Sequence, residues 1–140
     1  MTSFVLDASI AFAWCFDNEG TEAADRLLEQ LRSDQAAVPS LWHLEVSNGL
    51  ALAERRGRIT RADTVRFIDL LESLTIVVDA DTPRLAFGSI LDLARSQRLT
   101  GYDASYLELA MRLGIPLATK DSALAGAAQR LGVAVVGTDP

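Results

Sequence analysis

Short apolar or β-branched runs alternate with longer helical patterns along the whole chain, and few folds accept that alternation. Strands are expected at Phe4-Val5-Leu6, Ala37-Val38, Ile76-Val77-Val78, Leu117-Ala118-Thr119 and Val133-Ala134-Val135-Val136. Each is short, and most lack strict apolar/polar alternation. That pattern suits strands covered on both faces of a parallel sheet. Helices are expected between them. Thr21 to Arg32 is charged on one side and carries Leu27, Leu28 and Leu31 on the other. Leu41 to Arg56 follows Pro39-Ser40, with Ser40 as N-cap, and stops at Gly57. Thr60-x-x-Asp63 has capping-box spacing. Thr82-Pro83 reads as an N-cap and first-turn proline opening a helix to about Arg98. Thr100-x-x-Asp103 opens a further helix that ends at Gly114-Ile115-Pro116, and a last one runs from Ser122 to Leu131 before Gly132. The order implies an α/β fold with a central, mostly parallel sheet of about five strands flanked by helices.

No linker, low-complexity tract or internal repeat interrupts the 140 residues, so one domain spanning 1–140 is expected. A chain of this length can bury roughly two thirds of its unfolded surface. The net charge is −6, from 13 Lys and Arg against 19 Asp and Glu. Such a chain is not drawn to nucleic acid by its overall field. A nucleic-acid role must rest on a local basic patch or on bound cations. The single cysteine, Cys15, excludes an internal disulfide and reads as a small core residue. The apolar run from Phe4 to Phe16 lacks a basic leader and contains Asp7, unlike a signal peptide. No stretch reaches the about 20 apolar residues of a membrane span. A cytoplasmic location is expected.

Acidic side chains fall where the topology makes a site. In open α/β sheets, ligands bind beyond the carboxyl ends of the strands at the topological switch point. Asp7 directly follows the first strand and Asp121 follows the fourth. Adjacent strands would bring these two carboxylates to one edge. Glu45 shares a helix face with Leu41, Asn48, Gly49 and Leu52, which turns it inward. Asp103 shares a face with Tyr106, Leu107 and Ala110, in a first helical turn that favours negative charge. Each acid also has an ordinary explanation. Asp7 and Asp121 can cap the helices after them, Asp103 can complete a capping box with Thr100, and Glu45 can tilt to solvent. Taken together, they repel one another unless a cation intervenes. Hard oxygen donors suit Mg²⁺ or Mn²⁺, and the matching chemistry is metal-assisted phosphodiester hydrolysis.

Val5-Leu6-Asp7-Ala8-Ser9, the Glu45 helix beginning Leu41-Trp42-His43-Leu44, Thr100 to Ala110, and Leu117-Ala118-Thr119-Lys120-Asp121 resemble the PIN domain, and most of all its small bacterial VapC-type toxins. The resemblance spans nearly the whole chain in the right order. It implies a Rossmann-like sheet and an acidic metal site in which Asp7, Glu45 and Asp103 are the core ligands. Asp121 would complete the site as a ligand or through water. Ser9 and Thr119 match hydroxyl positions that orient the acids. It further implies endoribonuclease activity, homodimerisation and inhibition by a VapB-type antitoxin.

Other residues carry weaker signals. His43 lies two positions from Glu45, on a different helix face, so packing or surface is its expected role. Trp14, Phe16 and Trp42 can stack on bases, although packing is the simpler reading. Arg55, Arg56, Arg58 and Arg61 form the densest basic run. They read as a solvated helix end, with Arg55, Arg56 and Arg58 as candidate RNA contacts. Lys120 can touch a phosphate or pair with an acid. A non-catalytic acidic α/β binding or receiver-like module is the competing reading. Its acceptor Asp would follow the third strand, where Asp79 and Asp81 stand. A phosphatase with an Asp nucleophile loses its general acid because Ser9 occupies that place. No glycine-rich phosphate loop follows any strand.

Overall fold

Phe4, Val5 and Leu6 are sealed from solvent, and the strand they build, β1 (Thr2–Leu6), runs through the middle of the sheet. Its partners are β2 (Gln35–Pro39), β3 (Ile76–Asp79), β4 (Leu117–Ala118) and β5 (Val135–Val136). The strand order is β3-β2-β1-β4-β5, and every pairing is parallel. The computed structural model describes residues 1–138; the last two positions of the expected domain lie outside them. The expected α/β fold is therefore what forms. The order 3-2-1-4-5 reverses direction between β1 and β4, where Leu6 pairs with Ala118.

The apolar run from Phe4 to Phe16 divides at Asp7 into β1 and the helix α1 (Ala8–Cys15). α1 is apolar almost all round, so periodicity in the sequence says little about it. A 3-10 turn (Asp17–Glu19) leads to α2 (Glu22–Gln30), capped by the Thr21 hydroxyl, which accepts from the Ala24 N–H. After β2 come α3 (Trp42–Arg55) and α4 (Arg61–Ser73). The segment after β3 comprises α5 (Thr82–Leu85), a wide turn (Ala86–Ile90) and α6 (Leu91–Gln97). α7 (Gly101–Leu113) precedes β4, and α8 (Ser122–Arg130) precedes β5.

Two helix starts differ from expectation. Ser40 does not cap α3; Ser40 and Leu41 form a turn out of β2, and Leu41 takes the cap position without a side-chain bond. Thr82 is already helical, with Asp81 before it, and the segment does not continue unbroken toward Arg98. Gly88 leaves helical geometry at φ −108° and ψ −105°. Glycine is a weak helix former, and its backbone freedom permits the break.

α7 is the most deeply sunk helix. Residues Ala104 to Ala110 are all buried, and it packs against β1 and β2. Gly114 closes it in the left-handed conformation at φ +66°. α3 instead leans on α1. A methyl group at Gly49 would lie 2.2 Å from a ring carbon of Phe12, and that ring is stacked at 5.5 Å on Phe16. Glycine is what lets the two helices approach there.

Leu107 is fully buried against the sheet. Leu107→Ala is expected to lower unfolding free energy by about 2–5 kcal/mol, since a cavity remains beside rigid strands. Urea denaturation with an unchanged slope and a lower midpoint checks this.

Candidate active site

β1 delivers Asp7 to the carboxyl edge of the sheet, and the Asp7 N–H donates to the Ala118 carbonyl of β4 at 3.0 Å. Asp7 is 5% exposed. It occupies the N-cap position of α1 yet makes no side-chain cap bond. Its Oδ2 instead accepts from the Ser9 hydroxyl at 2.7 Å and from the fully buried Thr119 hydroxyl at 2.7 Å. Thr119 Oγ1 also accepts from the Asp121 N–H at 3.0 Å, and Ser9 Oγ accepts from the Lys120 N–H at 2.9 Å. Two hydroxyls thus tie the end of β4 to the end of β1. Asp121 does cap α8: its Oδ1 accepts from the Leu124 N–H at 3.0 Å.

Glu45, in the first turn of α3, is half-buried and accepts a 2.6 Å hydrogen bond from the Tyr106 hydroxyl. Asp103, in the first turn of α7, is also half-buried. Its N–H donates to Thr100 Oγ1 at 3.1 Å, but its carboxylate makes no return bond among the described residues. The other Thr-x-x-Asp of the chain, earlier in sequence, behaves differently, because Asp63 completes a reciprocal capping box with Thr60. Asp103 is left free to serve elsewhere.

Charge effects link the four acids pairwise. Burial raises the Asp7 pKa, the two hydroxyl donors oppose that rise, and the Asp121 charge adds to it. Glu45 is raised by burial and then by Asp7 and Asp103, against the Tyr106 bond. Asp103 is pushed up to about 6, chiefly by burial and then by Asp121 and Asp7. Among the described residues, no Lys or Arg forms a salt bridge with any of the four.

No three His, Cys, Asp or Glu side chains among the described residues lie close enough to form a ready-made metal cage. A magnesium site with one or two direct carboxylates, completed by water and phosphate oxygens, needs no such cage. The donor set consists of hard oxygens carrying uncompensated negative charge, which fits Mg²⁺ or Mn²⁺.

The remaining candidates divide clearly. Arg55 and Arg56 are exposed at the end of α3. Arg58 is engaged within the protein: it donates to Asn18 at 3.0 Å and Glu19 at 3.2 Å, and lies 4.7 Å from the Phe16 ring centre. Lys120 donates to the Glu19 carbonyl rather than pairing with an acid. Phe16 and Trp42 are buried, and the partly buried Trp14 donates to the Ala24 carbonyl at 2.8 Å, so packing accounts for all three. His43 is exposed beside Trp42. Cys15 is buried, with its thiol pushed up to about 11. Asp79 ends the edge strand β3 and is gripped by both terminal nitrogens of Arg112, at 3.1 and 2.8 Å. Arg112 also bonds Glu108 on its own helix. The strand order puts Asp79, at the end of β3, two strands from β1, so it does not stand beside Asp7 as a receiver-like site requires. The Tyr106 bond and the Arg112 clamp were not foreseen from the sequence. Tyr106 shares a face with Asp103 at three-residue spacing, but its partner lies 61 positions away.

The PIN domain profile matches residues 4–130. The chain belongs to the PIN domain family, and its fold is of the nuclease type. It is similar to a protein solved as the crystal structure of PAE2754 from Pyrobaculum aerophilum, with a TM-score of 0.70 and 25% identity over 96% of this chain and 90% of that one. No curated protein sequence matches it.

The pKa of Asp103 carries a pH signature. Its folded value, about 6, exceeds the ordinary 3.8, so the folded state holds this proton longer. The stability it contributes is fully present below about pH 4 and lost as pH rises through about 6. In EDTA, Asp103→Asn is therefore expected to melt progressively higher than wild type across that window and stay higher above it. A difference in melting temperature that does not grow with pH would contradict this.

Proposed function

We propose that this protein is a single-domain, Mg²⁺- or Mn²⁺-dependent endoribonuclease and the toxin of a VapBC-type pair. The observation that carries the reading is the convergence of four acids without a cationic partner at the switch point of a PIN fold. Its partners are an RNA substrate, a VapB-type antitoxin and a second copy of the chain, and its proposed location is the cytoplasm. No helix among the described residues is long and apolar enough to cross a membrane.

Asp7, Glu45 and Asp103 would hold the cation, with Asp121 joining directly or through water. When bound, the cation would lower the pKa of a water and offset charge on the scissile phosphate. The protein's own part is to fix the acids beforehand. Ser9 and Thr119 hold Asp7 by one oxygen, so the carboxylate does not rotate in its buried setting. The dipole of α7 favours the charged form of Asp103, partly offsetting the burial and neighbouring acids that raise its pKa. Exposed Arg55 and Arg56 are proposed to meet the RNA backbone, each supplying an attraction that weakens with salt. Arg58 is the weaker candidate, since its guanidinium is already held.

Purified protein is expected to cut a mixed RNA pool with Mg²⁺ or Mn²⁺, to stop in EDTA, and to fail as Asp7→Asn. Gel analysis of the products, with folding checked by circular dichroism, reads this. A folded Asp7→Asn protein that still cuts RNA would remove the site assignment. Thr119→Val keeps the shape and deletes the hydroxyl bond to Asp7. It is expected to lower metal affinity or cleavage about 10–100-fold, the usual effect of losing a residue that orients a ligand.

A further inference from the structure

Tyr106 is completely buried on α7, yet its hydroxyl is aimed out of that helix at the carboxylate of Glu45 on α3. The bond is 2.6 Å long, in the range of hydroxyl donors to charged oxygens. Among the described residues it is the only hydrogen bond made by the Glu45 side chain. α3 and α7 share little direct backbone packing, since α3 leans on α1 while α7 sits on the sheet. Helix packing alone therefore does not set where the Glu45 carboxylate stands relative to Asp103. Tyr106 and Asp103, three residues apart, project from one face of α7. The helix that carries one acid thus also carries the group that holds another.

We infer that Tyr106 is a positioning residue for the metal site: by gripping Glu45 Oε1 it sets the carboxylate in register with Asp7 and Asp103 and leaves Oε2 for the cation. The inference rests on the metal-site reading above and extends it to a residue that touches neither cation nor RNA. A buried tyrosine also needs a hydrogen-bond partner for its own sake, and that purely structural role predicts a different outcome.

The test is direct Mn²⁺ binding, by electron paramagnetic resonance of the free ion or by calorimetry, without RNA. Wild type, Tyr106→Phe, Glu45→Gln, the double variant and Asp7→Asn are compared, each with its melting temperature. Tyr106→Phe is expected to weaken Mn²⁺ binding by about tenfold or more. In the Glu45→Gln background the same change is expected to have no further effect, since the coupling runs through that carboxylate. Equal Mn²⁺ affinity in wild type and Tyr106→Phe would overturn the inference, as would equal losses in both backgrounds. Those outcomes would leave the metal site standing, provided wild type binds Mn²⁺ and Asp7→Asn does not. Absence of Mn²⁺ binding by wild type would overturn both. A measurement on wild type covers the case in which Tyr106→Phe does not fold. Adding Mg²⁺ should shift the Tyr106 ring resonances in NMR spectra, and resonances that stay in place would count against the role.

Discussion

A carboxylate buried at the end of the central strand is the constraint to which the rest of the site answers. Asp7 can remain there because two hydroxyls and a backbone bond fasten it between β1 and β4. Burying a charge without a partner is expensive. Here the neighbours within reach are more acids, so each ionisation makes the next harder. The strand order makes this unavoidable. Reversal of the sheet between β1 and β4 opens the edge at which Asp7 and Asp121 emerge. The first turns of α3 and α7 add Glu45 and Asp103.

The distribution of positive charge sharpens the point. Arg112 is committed to Asp79 and Glu108, Arg58 to Asn18 and Glu19, and Lys120 to a backbone carbonyl. These basic groups stabilise the scaffold and leave the acids unmatched. An acidic protein that handles a polyanion needs some local reversal of its field. On the proposed reading, the acids themselves would offer the place for it by holding a cation.

Much of this was legible in the sequence because strand ends and helix faces are periodic properties. Asp7 and Asp121 could be read as strand-end acids, and Glu45 as inward-facing, from spacing alone. What spacing cannot convey is the use of a motif. Thr60-x-x-Asp63 and Thr100-x-x-Asp103 are the same pattern, yet only the first closes as a reciprocal box. Burial, and then the charges of Asp121 and Asp7 beyond two strand ends, mark Asp103 out, and that depends on three-dimensional position. The Tyr106 bond escaped for the same reason, since its partner comes from a distant helix. The uncapped start of α3 was missed because tertiary context overrode local preference, whereas the break at Gly88 follows the weak helix preference of glycine itself.

The close approach of α1 and α3 at Gly49 has a consequence for the spacing of the acids. Glu45 lies one helical turn before Gly49, and Asp7 stands immediately before α1, the helix that carries Phe12. Any side chain at position 49 presses on the Phe12 ring, itself backed by Phe16. Pushing α3 away would carry Glu45 with it. The gap between two charged groups at one end of the molecule is thus gauged by the absence of a single methyl group at a position that touches neither.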